Sequence, residues 1–374
     1  MNFFIQTFGC AQNIAESERI ITYYQNKGYQ LTQKLDEANL VIINSCLVRE
    51  QAEDRVYGFI HYKIKPVLKK NPQLKIALTG CLEGAARNQP NGYFSKRIKQ
   101  ATPTVELLDK TDIGLEITPC RQNKEHALIP IASGCNNFCS YCVVPLARGK
   151  EISRPFTSII NEAKEAYKNG YKKVTLIAQN VNSYGNDLIK ESSTEYILPN
   201  GKRVLPIIVK FMGKERIPTL FPYLLEEAAA LGFDLVSFVA ANPWDFSNEL
   251  IDIIAKYPNI DRQIHLPAQS GDNEILKKMN RWYTREEYLD LADKIKAKIP
   301  GSQISTDIIV GFPGETEEQF GNTVDLCQKI GFNKAYIACY SPRAGTTAAQ
   351  FEDTVSHQEK DRRFRALDQL INKD

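Results

Sequence analysis

Three closely spaced cysteines constrain this chain more than any other feature. The stretch Ser133–Pro155 reads SGCNNFCSYCVVPLARGKEISRP and carries Cys135, Cys139 and Cys142 in a C-x3-C-x2-C spacing. Three thiolates this close can bind three irons of a cubane iron–sulfur cluster and leave the fourth iron without a protein ligand, where such clusters ordinarily take four cysteines. An open position on a reducing cluster can bind and cleave a substrate. Two other readings stand beside this one: a structural zinc loop, which needs a fourth ligand nearby, and plain buried thiols.

Composition narrows the setting. At 374 residues the chain is long enough for two or more domains, each with its own core. A net charge of +3 is too small to establish nucleic-acid binding and leaves room for a local basic patch. The first residues, MNFFIQTFGC, have no basic segment followed by a long apolar run, so no signal peptide is read there. No stretch approaches the apolar length of a membrane span. The expected location is therefore the cytoplasm, where thiols stay reduced. Nine cysteines in such a compartment point to metal ligands rather than disulfides.

From Met1 to about Cys120 the pattern alternates strand and helix. Asn2–Thr7, Leu40–Asn44 and Leu74–Thr79 read as strands, the second a continuous apolar run typical of burial on both faces. Ala15–Lys27, Arg49–Lys70 (bent or interrupted at Pro66) and a segment starting at Glu83 read as helices. This alternation predicts a parallel sheet with crossover helices. Cys10, Cys46 and Cys81 each directly follow a strand, in QTFGC, INSC and ALTGC. In an open parallel sheet the loops after the strand ends converge on one edge, where ligands bind. Three cysteines far apart in sequence then meet, either as the ligands of a second cluster with a free iron or as three small buried residues. The polar residues Gln12, Asn13, Asn44, Arg49 and Glu50 nearby favour a site. The boundary between this domain and the next is expected near Cys120, itself read as structural or incidental.

The second domain, residues 121–350, opens with a strand at Ala127–Ala132 that feeds the cysteine loop. Six strand–helix repeats follow from there, which predicts a partial (β/α)6 barrel open on one side, with chemistry at the C-terminal ends of the strands. The cysteine loop lies at that end, as do Gln179, Asn180, Asn242, His265, Gln269, Asp307 and Arg343. Ser192 to about Pro218 is rich in proline, glycine and basic residues and reads as a surface excursion, either a solvated loop or a contact for an acidic ligand. Residues 351–374 read as one exposed helix, with Arg362, Arg363 and Arg365 close together, either a solvated face or a nucleic-acid patch. GxxxxGK[ST], HExxH and GxSxG motifs are missing, and His61, His126, His265 and His357 are far apart in sequence, so no rival catalytic constellation emerges.

Together these residues resemble the methylthiotransferases, a radical S-adenosylmethionine family with two clusters. The resemblance runs from about Phe3 to Arg365. It rests on an ordered set: FGCAQN, NSCLVREQAEDR, TGCLEG, GCNNFCSYCVVPLARGKEISRP, LIAQNVNSY, IHLPAQSGDNEILKKMNR, STDIIVGFPGETEEQF and YSPRAGTTAA. It implies that Cys10, Cys46 and Cys81 hold an auxiliary [4Fe-4S] cluster and that Cys135, Cys139 and Cys142 hold the cluster that chelates S-adenosyl-L-methionine. It also implies that Tyr141 packs against the adenine of that cofactor. Gln179, Asn180, Gln269 and Asp307 are candidate cofactor contacts. The wording is nearest the bacterial tRNA branch of the family. The implied substrate is isopentenyl-adenosine beside the anticodon of tRNA, thiomethylated at carbon 2, by a monomer that draws electrons from a flavodoxin or ferredoxin. Threonylcarbamoyl-adenosine in tRNA and a ribosomal-protein aspartate are the alternatives within the family. A single-cluster radical enzyme and a zinc-bearing RNA-binding protein are those outside it. The family ordinarily continues into a small RNA-holding β-barrel, the TRAM domain. That barrel is expected to be absent here, with weaker RNA affinity as the result.

Overall fold

The computed structural model describes residues 1–48, 50–89, 91–109, 113–191, 195–205, 209–211, 214–216 and 219–372. The N-terminal part is a five-stranded sheet, parallel at every pairing. In chain order it comprises β1 (Asn2–Phe8), α1 (Ala11–Asn26), β2 (Gln30–Leu31), β3 (Leu40–Ser45), α2 (Glu50–Phe59), α3 (Lys65–Lys70), β4 (Lys75–Gly80), α4 (Cys81–Asn88), α5 (Tyr93–Ala101) and β5 (Val105–Leu107). The strand order is β2-β1-β3-β4-β5. Every residue of β3 is buried, as its continuous apolar run predicts. One face packs Val41, Ile43, Ile76 and Leu78 under α2, α4 and α5, and the other packs Phe3, Ile42 and Ala77 against Ile20 and Ile21 of α1.

Two helix starts differ from the sequence reading. α1 begins at Ala11 rather than Ala15, and α4 begins at Cys81 rather than Glu83. In both, the helix starts on or immediately after the cysteine, so the loop is shorter than the apolar periodicity indicates. The single long helix expected from Arg49 to Lys70 is three pieces: α2, a π-helical turn at Ile60–Ile64, and α3 with Pro66 in its first turn. Proline has no N–H to give the carbonyl four residues back, and the wider winding falls just before it. Arg49 lies outside the described residues.

The C-terminal part carries six parallel strands in sequence order, among further short pieces. They begin with β6 (His126–Pro130), β7 (Ala132–Ser133), α6 (Val144–Arg148), β8 (Ile152–Ser153), α7 (Phe156–Lys168), β9 (Lys173–Ile177) and α8 (Asn186–Glu191). The 192–218 excursion then holds two short antiparallel ladders, β10 (Tyr196–Ile197) with β11 (Arg203–Val204) and β12 (Val209–Phe211) with β13 (Lys214–Arg216). Next come α9 (Phe221–Ala229), β14 (Leu235–Val239), α10 (Asn248–Lys256), β15 (Gln263–His265), α11 (Asn273–Lys278) and α12 (Arg285–Lys298). Last are β16 (Gln303–Val310), α13 (Glu317–Ile330), β17 (Lys334–Cys339) and α14 (His357–Ile371). The strands form two sheets, β6-β9-β14 and β15-β16-β17, joined by a parallel bridge from Val236 to Ile260. Among the described residues the outer strands β6 and β17 do not pair, so the barrel stays open as expected. Along β16 buried and partly exposed residues alternate, one row against the outer helices and the other, with Ser305 and Asp307, on the inner face.

Three further readings are corrected. The strand expected over Ala127–Ala132 breaks at Ile131, after which β7 turns away to pair antiparallel with β8 and carry the cysteine loop. The 192–218 excursion is not wholly solvated, because Leu198 and Val204 are buried in the barrel core. α14 is not an exposed helix. Leu367 and Arg363 are buried, and Arg363 donates to the Glu315 carboxylate at 2.8 Å, so the stripe of arginines is partly a docking surface. Among the described residues no helix is long and apolar enough to cross a membrane.

Candidate active site at two cysteine trios

Register brings the first three cysteines together. Phe8 pairs with Ser45 and Ser45 with Gly80, so the chain leaves β1, β3 and β4 at one level. Cys10 follows within two residues, and Cys46 and Cys81 follow at once. The Cys46 thiol donates to the Cys81 sulfur, Cys46 feels the charge of Cys10, and Cys10 feels that of Cys81. The edge is laced by buried amides. Asn13 donates to the Asn44 side-chain oxygen at 2.9 Å, and Asn44 donates to the Asn13 carbonyl at 2.8 Å and Ser17 Oγ at 2.9 Å. Asn13 and Asn44, read from sequence as site residues, therefore hold α1 against β3 beneath the trio.

The second trio sits on the loop from β7 to α6. Gly134, at φ 84°, turns the chain into it, and a Cβ there would lie 2.0 Å from the Lys150 carbonyl oxygen, so the position requires glycine. The loop folds on itself through Cys142 N–H to Cys139 O at 3.0 Å and Cys135 N–H to Gly149 O at 3.1 Å. It is pinned to the barrel by Ser140 Oγ donating to Lys278 O at 2.8 Å and Asn280 Nδ2 donating to Phe138 O at 2.6 Å. Cys135, Cys139 and Cys142 act on one another electrostatically, and Cys142 also feels Cys81. Val143 of the loop and Ala147 of α6 pack in one cluster with Cys81, and Arg148 donates to Cys81 at 3.1 Å, so the two trios adjoin on the Cys81–Cys142 side.

Every one of the six sulfurs faces an N–H, Cys10 through the backbone of Asn13. The other donors are backbone N–H groups of Val48 to Cys46 at 3.4 Å, Asn137 to Cys135 at 3.4 Å and Val144 to Cys142 at 3.5 Å, and the side chains of Arg148 to Cys81 at 3.1 Å and Arg281 to Cys139 at 3.5 Å. The Cys10 thiol also donates to Asn13 Oδ1 at 3.5 Å. N–H groups aimed at sulfur favour thiolate and tune iron–sulfur clusters, so the donor set fits that group. Among the described residues no three His, Cys, Asp or Glu side chains lie close enough to hold a single metal ion. A cubane binds each thiolate through a different iron and needs no such convergence. Iron at Cys46 and Cys81 would replace their thiol–thiol contact.

Sequence reasoning missed two arginines. Arg148 ends α6 and is buried. Its guanidinium donates to Cys81 and, at 3.2 Å, to the Glu16 carboxylate. A lone charge in the apolar helix VPLAR, six residues past Cys142, is the signal that was available. Arg281 is buried over the faces of Trp244 and Tyr283, at 4.6 and 5.2 Å from the ring centroids. Glu151, also missed, accepts from Ser183 Oγ at 2.6 Å, and burial pushes its carboxyl up to about 8. A cavity of about 360 Å3 beside Arg148 separates α1 from the cysteine loop, lined by Arg19, Thr79, Glu116, Ser133 and Arg154 among others.

The candidate cofactor contacts are more dispersed. Tyr141 is partly buried beside Ile275, Met279, Phe312 and Tyr340 and feels the charge of Arg281. Gln179 is half-buried at the end of β9. Asn180 is engaged by protein, donating to Asp245 at 3.0 Å, and Asp307 lies 3.3 Å from His265 Nε2. Gln269 adopts φ 68° and bonds through its backbone to Asp307 O and Ile309 N. Asn242 bonds to Asn182 through its backbone, at 2.8 Å each way. Arg343 reaches away to the N-terminal part, donating to Leu47 O at 2.6 Å and Glu53 at 3.2 Å.

An open parallel barrel with a three-cysteine loop at the strand ends defines a radical S-adenosylmethionine protein, and residues 129–327 match the model of the Radical SAM superfamily. Residues 2–101 match a second model, described as Uncharacterized protein family UPF0004. The chain is 39% identical over 393 residues to the tRNA-2-methylthio-N(6)-dimethylallyladenosine synthase of Clostridium botulinum strain Okra, covering 99% of this chain and 81% of that one. It is 38% identical over 386 residues to the protein of that name from Thermotoga petrophila, covering 98% and 81%. The chain belongs to this family of radical S-adenosylmethionine methylthiotransferases. In fold it is similar to the radical S-adenosylmethionine methyltransferase TsrM from Kitasatospora setae (TM-score 0.56, 13% identity, 93% of this chain and 74% of that one). It is likewise similar to the cobalamin-dependent S-adenosylmethionine radical enzyme OxsB (TM-score 0.55, 9% identity, 99% and 55%).

Proposed function

We propose that this chain adds a methylthio group to carbon 2 of isopentenyl-adenosine next to the anticodon of tRNA, with the tRNA anticodon stem-loop as its macromolecular substrate. The observation that supports the reading is the pairing of two cysteine trios, one at a sheet edge and one on a barrel loop, brought side by side where Val143 of the loop and Arg148 of α6 meet Cys81. Cys10, Cys46 and Cys81 would hold the auxiliary [4Fe-4S] cluster, and Cys135, Cys139 and Cys142 the one that takes S-adenosyl-L-methionine. When bound, these groups supply the reducing power, the hydrogen-abstracting fragment, the sulfur and the methyl.

The chain's own part is to hold and shield. Arg148 and Arg281 each place a fixed positive charge against one sulfur of a trio. Their burial keeps water from competing for those contacts. Tyr141 is proposed to pack on the cofactor's adenine, and Gln179, Asn180, Gln269 and Asp307 to contact its polar groups. Asn180 and Asp307 would then exchange a protein partner for the ligand. The working unit is residues 1–120 for the auxiliary cluster, 121–350 for the barrel, and 351–374 as a C-terminal helix. It is taken to act as a cytoplasmic monomer fed by a flavodoxin or ferredoxin.

Nucleoside mass spectrometry of tRNA from cells with and without the gene tests the reading. Loss of 2-methylthio-isopentenyl-adenosine, with its unthiolated precursor accumulating, is the expected result. Loss of a thiolated threonylcarbamoyl-adenosine would move the substrate, and an unchanged profile would remove tRNA altogether.

A further inference from the structure

A second cavity, of about 570 Å3, lies on the outer side of the N-terminal sheet. Phe4, Gln6 and Phe8 of β1 form one wall, and Phe59, Tyr62, Arg55 and Lys63 from α2 and the π-helical turn form the other. β2 pairs only with Asn2 and Phe3, so β1 from Phe4 onward has an uncovered edge along this groove. The groove therefore runs up the strand that leads to Cys10. From Phe8 to Cys10 is two residues, roughly 7 Å of extended chain, and Cys10 is exposed.

The lining joins flat rings to unopposed cations. Phe59 stacks on Phe4 at 6.4 Å and meets Phe8 edge-on at 5.5 Å, while Tyr62 is 74% exposed on the rim. Between Arg55 and Lys70 the chain has five Arg or Lys residues and no Asp or Glu. Among the described residues none of the five pairs with a carboxylate. The acidic residues just before them are already engaged, Glu53 by Arg97 and Arg343 and Asp54 by Arg97. Tyr62 and Lys63 both lie in the π-helical turn, and such turns recur at functional sites. Exposed rings beside a cationic rail take single-stranded nucleic acid: bases stack on the rings without regard to sequence, and phosphates sit on the cations.

We propose that this groove binds the anticodon-loop nucleotides that flank the adenosine being modified, Tyr62 stacking on a base and Arg55 and Lys63 neutralising phosphates. The proposal rests on the function proposed above and adds the surface that would hold the RNA. Loop nucleotides are unstacked and available for such contacts, and the groove leads to the sulfurs where the reacting base must arrive.

Fluorescence anisotropy of the reconstituted full chain with a labelled, unmodified anticodon stem-loop RNA tests it. The R55E/K63E double variant is expected to weaken binding by about tenfold or more at ~100 mM salt and to flatten the log-affinity against log-salt slope by about 1.5. Tyr62→Ala is expected to weaken it several-fold, with Tyr62→Phe restoring it. A K164E/K168E variant on the exposed side of α7 makes the same charge change elsewhere and is expected to bind as the wild type does. Iron content and thermal midpoint verify that each variant folds. Wild-type affinity in R55E/K63E, or equal weakening in K164E/K168E, overturns the groove while leaving the function standing. No RNA affinity in the wild type overturns both.

Discussion

Arg148 Nε lies 3.1 Å from Cys81 Sγ, and this contact joins the barrel's cysteine loop to the edge of the N-terminal sheet. The same guanidinium reaches the Glu16 carboxylate, and all three groups are buried. Burial raises the cost of leaving any of them alone. Arg148 and the hydrogen bond from Cys46 together pull the Cys81 thiol below its ordinary range, the Cys46 bond being the larger influence. One side chain thus sets both the seating of the two halves and the charge beside one sulfur.

Arg148→Met should therefore show in two measurements. Urea unfolding should report a loss of about 3–5 kcal/mol, the usual consequence of stranding a buried charge. The electron paramagnetic resonance signal assigned to the auxiliary cluster should shift after anaerobic reconstitution. Arg148→Lys keeps the charge without the planar fork and should fall between. If Arg148→Met unfolds like the wild type, the bridge is ornamental.

The trios make a countable prediction. Replacing Cys10, Cys46 and Cys81 by alanine should lower iron from about eight to about four atoms per chain after anaerobic reconstitution. Replacing Cys135, Cys139 and Cys142 should do the same and also abolish cleavage of S-adenosylmethionine under dithionite. Eight irons retained in either triple variant would mean that its cysteines are not ligands.

Much of this arrangement was legible in the sequence because it follows from periodicity. The run at Leu40–Asn44 declares a strand buried on both faces, and parallel pairing then brings Cys10, Cys46 and Cys81 to one edge. What was not legible depends on contacts between residues distant in the chain, 48 and 132 positions apart in the two pairs that follow. Arg363 looks like a solvated charge until Glu315 is found beneath it. Arg148 and Glu16 are far apart in the chain, and nothing local marks them as a pair. Asn13 and Asn44, read as polar residues near a site, prove to be bonded to each other beneath the trio, and Asn13 also touches the Cys10 thiol.

Helix seating gives a sharper mutational contrast. α4 and α6 approach so closely at Gly84 that a Cβ there would sit 1.9 Å from the Ala147 carbonyl oxygen, which is backbone and has little freedom to yield. Gly84→Ala should cost about 1–3 kcal/mol by forcing the helices apart. It should also move Arg148 off Cys81 and reproduce part of the Arg148→Met spectrum. Gly321, in the middle of α13, has nothing within 4 Å of the same added atom. Gly321→Ala should stabilise the protein by about 0.5–1 kcal/mol. Equal effects at the two sites would show that backbone entropy, not close approach, decides both.

One acid-side part of the pH dependence of stability should lie at Glu162 on α7. Its carboxylate accepts from Arg19 at 2.8 Å, Arg121 at 2.6 Å and Arg154 at 2.7 Å. Arg19 comes from α1 of the N-terminal part, so this cluster too spans the two sheets. Burial alone would push the carboxyl up, but the three arginines outweigh it and hold it below the ordinary value of 4.5. A carboxyl lowered on folding contributes stability that is fully present above pH 4.5 and is lost as pH falls through the lower, folded value. Glu162→Gln leaves three guanidinium groups around a neutral amide and should cost about 3–5 kcal/mol at pH 7. In urea titrations the gap between wild type and Glu162→Gln should hold from pH 7 to about 5 and narrow below 4.5, as the wild-type carboxylate itself is protonated. A gap that stays constant down to pH 3 would assign the stability to packing around the side chain rather than to its charge.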